Sequence, residues 1–325
     1  MRRIAAAIIL FLLLAPLPGS YLPRPAGDRS AVLTARPAPG LLPGRRVGAL
    51  TLVEAWELDS PDERMGGLSG LIHLGPRDFL AVADRGFTLR FALGADETVS
   101  KVRFDTLPQP YRDPARKRLL DAEAVTRDAR TGRYWVALER LAEIWRFSPD
   151  GKREGRLRNP AIARWPTNGA AEALVRLSDR RFLVLSERAI NGDAREGILF
   201  AGDPLRPRTR WLRFAYDSGD LGAPTDAAAL PDGRVLILHR QLGSGPLFRT
   251  SLALADPRPI KAGDRMTSIA LARFDDRDLA ENYEGLAVSV ERGNVMLWIL
   301  SDNNQNHWQR TRLLKFQLDP AALAR

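Results

Sequence analysis

The chain has 325 residues, an apolar fraction of 45%, no cysteine and a formal net charge of +10. The lack of cysteine excludes thiol catalysis, thiolate metal sites, iron-sulfur clusters and disulfides. Charges are spread without long blocks, which argues against disorder and coiled coil, and a closed all-β fold carries this length in one domain.

In chain order, "MRRIAAAIILFLLLAPLPGS" (1–20) places two Arg before an apolar run and ends in Pro, Gly and Ser. That is the layout of a secretory signal, and the run is shorter than the roughly 20 residues a spanning helix needs. Export to a periplasmic or extracellular space is the expectation. Because "PLPGS" is a poor cleavage site, an uncleaved leader anchoring the chain to a membrane is the alternative. Residues 21–45 are rich in Pro and Gly without period and read as a linker. Residues 46–325 read as one domain.

That domain repeats itself. Five segments begin on an acidic or polar residue followed by a small residue and an apolar run, at Ser69, Glu123, Glu172, Asp226 and Glu284. A spacing near 50 residues with β-rich units is the signature of a propeller. Each segment has turn-forming residues at its midpoint: Pro76-Arg77, Thr131-Gly132, Asp179-Arg180, Asp232-Gly233 and Gly293. Five hairpins follow. The predicted fold is an all-β propeller of five four-stranded blades around a central channel, closed by strands from both termini. Six blades result if one is cryptic, and 103–120 and 190–221 are where its strands would lie.

In an antiparallel hairpin the first residue of one strand lies beside the last of its partner, so the polar ends of all five hairpins converge at one channel mouth. The returning strands end in Asp84-Arg85, Glu139-Arg140, Glu187-Arg188, His239-Arg240 and Asp302-Asn303-Asn304. Carboxylates supply hard oxygen ligands for a divalent cation, and guanidiniums supply forked donors for an oxyanion. A Glu-Arg pair in each blade serves equally well as blade-to-blade pairing. The oxygen-rich set of Asn282, Glu284, Asp302, Asn303 and Asn304 exceeds what blade packing requires.

Other motifs are weaker. "GGLSGL" around Ser69 runs into a strand, unlike a nucleophile elbow, and no phosphate-binding loop or dinucleotide fingerprint is present. His73 alternates within a predicted strand and reads as structural, His239 takes a ring position as a candidate acid or base, and His307 lies in "NNQNHW" near the same mouth.

The stretches "GGLSGL…FLAVADRG", "DAEAV…WVALER", "EALV…LVLSER" and "ENYEGLAV…LWILSDNN" resemble the phytase-like family, described by an esterase-like activity of phytase, over about 46–318. The resemblance implies an exported β-propeller whose repeated Glu and Asp serve hydrolysis of phosphate esters. Ser69 in place of an acid, and the Ala run after Asp226, make this ring uneven. The expected activity is divalent-cation-assisted hydrolysis of a phosphate ester, with calcium as the cation. Glu123, Glu172, Asp226, Glu284 and Asp302 are the candidate metal ligands. Glu284, Glu123, Glu172, Asp302 and His239 are the candidate catalytic groups, and Arg85, Arg140, Arg188, Arg240, Asn303 and Asn304 would position an anionic small-molecule substrate. A monomer is expected, with no specific nucleic-acid partner, because the basic residues form no dense patch interleaved with aromatics. A non-catalytic binding propeller and a calcium-dependent lactonase or carboxylic ester hydrolase are the alternatives.

Overall fold

The structure is a computed structural model and describes residues 27–324 except 95, 109–119, 192–193, 244–247 and 307–308. The proposed leader and His307 therefore lie outside the described residues. Among the described residues no helix is long and apolar enough to cross a membrane.

The N-terminal strands β1 (Thr34–Pro37), β2 (Arg46–Val47) and β3 (Leu50–Asp59) precede the first blade. That blade is β4 (Leu68–Gly75), β5 (Asp78–Ala83), β6 (Phe87–Leu93) and β7 (Val99–Thr106). The second is β8 (Ala122–Arg127), β9 (Tyr134–Leu138), β10 (Glu143–Phe147) and β11 (Arg153–Arg158). The third is β12 (Ala171–Arg176), β13 (Phe182–Asn191), β14 (Ala194–Phe200) and β15 (Trp211–Asp217). The fourth is β16 (Ala223–Ala229), β17 (Val235–Leu242), β18 (Phe248–Ala255) and β19 (Arg265–Phe274). The fifth takes β20 (Tyr283–Glu291), β21 (Asn294–Ser301) and β22 (Thr311–Leu318) from the C-terminus and β3 from the N-terminus. In that closure Thr311 lies opposite Leu58 and Leu318 opposite Leu50.

Inner strands β4, β8, β12, β16 and β20 each pack on the next, and β20 packs on β4, so the ring closes with five blades. No sixth sheet occurs among the described residues, and 194–217 supplies β14 and β15 of the third blade. Every predicted hairpin turn is present. Arg77, Gly132, Arg180, Gly233 and Gly293 all take the positive φ that a tight turn between twisted strands requires.

Aromatic residues fill the spaces between blades. Phe79 of β5 meets Trp298 of β21 edge-on at 4.7 Å between ring centres, and both are fully buried. Burying such a ring contributes roughly 2–3 kcal/mol. The stretch expected to be a linker is partly packed instead: β1 pairs with β3, and Leu33, Ala38 and Leu41 are buried. The Pro and Gly residues there shape turns around a strand whose apolar neighbours reach the core.

Candidate active site at the acidic mouth

All five inner strands carry the same defect near their first residue. Pairing with the second strand skips Ser69, Glu123, Glu172, Thr225 and Glu284, one residue per blade. A bulge of this kind leaves one residue out of the ladder and re-aims its side chain. On the second strand, one residue beyond the partner of the residue before each bulge, stand Asp84, Glu139, Glu187, Arg240 and Asp302, of which Arg240 is still paired, opposite Ala223. The mouth is therefore two concentric sets of five positions, mostly carboxylates.

Two sequence expectations are corrected by this register. Thr225, and not Asp226, occupies the bulge of the fourth blade, and Arg240, and not His239, stands with the returning carboxylates. A shift of one residue along a strand sends a side chain to the other face. Asp226 is fully buried inside the channel, where it accepts from the backbone N–H groups of Ala227 (2.8 Å), Leu286 (2.7 Å) and Leu71. It ties β16 to β20 and β4 and is not a ligand at the mouth. Burial pushes its carboxyl well above the usual range. His239 is also fully buried, with Nε2 2.6 Å from the Tyr216 hydroxyl. Burial, aided by the Arg195 charge, lowers it to about 3, so it is a neutral packing group behind the site and not an acid or base within it. His73 is stacked on Trp298, with its Nε2 buried and without a hydrogen-bond partner.

The second blade concentrates the oxygen donors. Carboxylate oxygens of Asp121, Glu123 and Glu139 all lie within 4.8 Å of one another, and this buried group could bind a metal ion. Asp121 precedes β8 and was missed as a site residue, although "DAEAV" places it two residues before Glu123. Burial pushes Asp121 up, against the Arg140 guanidinium and a hydrogen bond from Glu123. Burial also drives Glu123 well above its ordinary value, reinforced by the charges of Asp121, Glu139 and Asp84. Glu172 is raised in the same way by burial and then by Glu123, Glu139 and Glu187, and it shares a hydrogen bond with Glu139. Asp84 is pushed up to about 7 by burial and by the Asp302 and Asp121 charges, and its Oδ1 is buried without a hydrogen-bond partner. Gly67, at φ +66°, leaves the space this carboxylate fills; a Cβ there would collide with it.

Other members of the ring have structural partners. Glu139 Oε1 accepts from the backbone N–H groups of Gly169 and, at 3.0 Å, Ala170, tying the second blade to the third. Asp302, raised to about 6 chiefly by burial, accepts from Leu68 N–H at 3.1 Å and ties the fifth blade to the first. Carboxylate-to-backbone bonds join these two pairs of blades, and Arg-Glu pairs join the fourth blade to the third and fifth. Arg240 bonds Glu284, Asn282 (2.7 Å) and Glu187 (3.1 Å), which makes it a cation embedded among carboxylates.

The remaining arginines do not converge as a ring. Arg85 turns outward to the Glu63 carbonyl at 2.6 Å and lies over Phe87, Arg140 pairs with Asp121 while half exposed, and Arg188 is exposed on the rim. Asn303 Oδ1 caps Gln305 N–H at 2.9 Å, and Asn304 is exposed and bonds Gln309.

Residues 63–305 match the family Phytase-like: Esterase-like activity of phytase. The chain belongs to this family. The phytase-like match covers all five bulges and all five returning positions described above. A search of curated proteins finds no match. Among solved structures, similar folds include the major Malassezia sympodialis allergen Mala s 1, at 13% identity over 89% of this chain and 96% of that one, with a TM-score of 0.49. Another is a chain of a nidogen/laminin complex, at 10% identity over 84% and 97%, with a TM-score of 0.43.

Proposed function

We propose that this phytase-like propeller is an exported hydrolase of phosphate esters, assisted by a divalent cation, with its site at the acidic mouth. The observation that carries the reading is the convergence of Asp121, Glu123 and Glu139 within 4.8 Å. Burial raises all three above their ordinary values, and neighbouring carboxylates add to this at Glu123 and Glu139, a state that a cation would relieve. Their hard oxygens suit calcium. The unpartnered Asp84 Oδ1 adds a donor of the same chemistry.

Asp121, Glu123 and Glu139 would hold the cation, which when bound offsets charge on the phosphoryl oxygens and activates water for attack. Arg140, held at the rim by Asp121 and half exposed, has guanidinium donors facing solvent for a second phosphoryl oxygen. Glu172 stays protonated beside Glu139 and supplies the proton that the leaving oxygen takes up. Arg240 keeps Glu187 and Glu284 in place on the far side of the mouth. The positively charged, then apolar N-terminus supports export.

The test is metal analysis of the purified protein, with turnover of a phosphodiester, a phosphomonoester and a carboxylic ester followed before and after chelation. We expect chelation-sensitive cleavage of a phosphate ester and a loss of about 100-fold or more in Glu123→Gln. Cleavage of the carboxylic ester alone would favour the ester hydrolase. A folded, metal-free and inactive protein would make the ring blade closure on a binding scaffold, a role that the backbone contacts of Glu139 and Asp302 already serve.

A further inference from the structure

The opposite end of the channel holds a second cavity, of about 210 Å³, lined by the far ends of all five inner strands. Four residues past each bulge, the blades present His73, Arg127, Arg176, Ala229 and Val288 at one level of the channel. Three neighbouring blades therefore contribute nitrogen groups, and the remaining two contribute small apolar side chains. The acidic end is inverted here.

The charges at this level are poorly matched. Arg127 is part-buried, its Nη1 donates to the Leu74 carbonyl at 3.1 Å, and no carboxylate pairs with it among the described residues. Arg176 meets Asp128 only at 3.6 Å. The Nε2 of His73 is buried without a hydrogen-bond partner, while its ring is fixed by stacking on Trp298 at 6.0 Å and by the edge of Phe79 at 5.6 Å. The nearest opposite charge felt by Arg127 is Asp78, which is itself engaged by Lys101 (2.9 Å) and Arg90 (3.5 Å), so the part-buried guanidinium keeps donors that only a further acceptor would fill.

We propose that this distal cavity is a binding site for a small oxyanion, held by Arg127 and Arg176 beside the His73 ring. A tetrahedral oxyanion offers enough acceptors for both guanidiniums, and the volume admits one. Asp128 does not exclude it, because that carboxylate is already engaged by the Arg130 backbone N–H (3.0 Å) and by Arg176. Ala229 and Val288 close the other side and leave room for a small apolar substituent on the anion. Asp226 and the apolar inner strands separate this site from the acidic mouth, so the proposal stands apart from the hydrolase reading.

The experiment titrates inorganic phosphate, and separately sulfate, into the full chain by calorimetry and thermal melting, with chloride at equal ionic strength as the control for screening. The expected result is saturable binding of both oxyanions and a rise in Tm that chloride does not reproduce. Arg127→Gln should lose about tenfold or more in affinity, and Arg85→Ala on the outer rim of the mouth should bind as wild type does, all in divalent-free buffer. Because Arg127→Gln also removes a part-buried contact, Ala229→Glu serves as the second variant. It places a carboxylate opposite the arginines and should abolish the phosphate response of a folded protein. No saturable binding by wild type, or unchanged phosphate affinity in a folded form of either distal variant, overturns the proposal. So does loss of binding in Arg85→Ala.

Discussion

The two ends of one channel are built from the same five strands and carry opposite chemistry. At the first, a bulge in each blade turns Glu123, Glu172 and Glu284 out of the ladder towards carboxylates returning on the neighbouring strand. At the second, the ladder runs on through the second and third blades and shifts register after His73 in the first, and the same strands end on His73, Arg127 and Arg176. The contrast shows that propeller symmetry dictates where side chains converge and leaves their charge to each blade. A chain with net charge +10 can therefore still gather a dense acidic site.

The largest expected effect comes from breaking the divider between the ends. Asp226→Ala removes the acceptor of three backbone N–H groups on three strands, and we expect a loss of about 3 kcal/mol or more in urea unfolding. Wild-type stability in that variant would mean the two ends are not held apart by this residue.

A pH-dependent effect sharpens the electrostatic contrast. Asp84 is raised from 3.8 to about 7 by burial and by Asp302 and Asp121, so its contribution is fully present below pH 3.8 and is lost as pH rises to about 7. The buried histidines, lowered to about 4 for His73 and about 3 for His239, act in the opposite sense over part of this range, destabilising the fold as pH falls. The readout is therefore the difference between Asp84→Asn and wild type, both free of divalent ions. The variant should match wild type near pH 4 and exceed it by up to about 4 kcal/mol at pH 8. A difference that does not change with pH would show that the mouth does not strain this carboxylate.

The smallest effect lies on the rim. Arg85→Ala and Arg188→Ala should each change stability by less than about 0.5 kcal/mol, because exposed charges at the edge contribute little. A cost of several kcal/mol in a melting experiment would place these arginines in the structural ring after all.

The fold was legible because turns are punctuated locally. "TG", "DR", "DG" and "GN" mark hairpins whose strands alternate apolar residues, and the repeat spacing gives the number of blades. The bulge residues Glu123, Glu172 and Glu284 were legible for the same reason. Asp226 and His239 were misplaced because an acidic residue attracts attention where Thr225 holds the position. Counting from the turn would have found the register: seven residues before Asp179 and Asp232 stand Glu172 and Thr225, and six after Arg181 and Arg234 stand Glu187 and Arg240. The outward course of Arg85 and the crowding of Asp121 with Glu139 depend on how blades meet, and no local pattern encodes that.

Strand β3 is made early and completes the sheet that β20 to β22 begin, so the first blade-forming strand to be synthesised has no permanent neighbour until almost the whole chain exists. During that interval its edge is open to the wrong partner, and β1 and β2, paired with it along the chain, shield part of its backbone. Closure joins residues some 250 positions apart, and that long loop makes it a slow step in assembly. The whole of β22, from Thr311 to Leu318, therefore latches the two ends of the chain together, and a chain stopped before it would hold β3 to the fifth blade by no ladder at all.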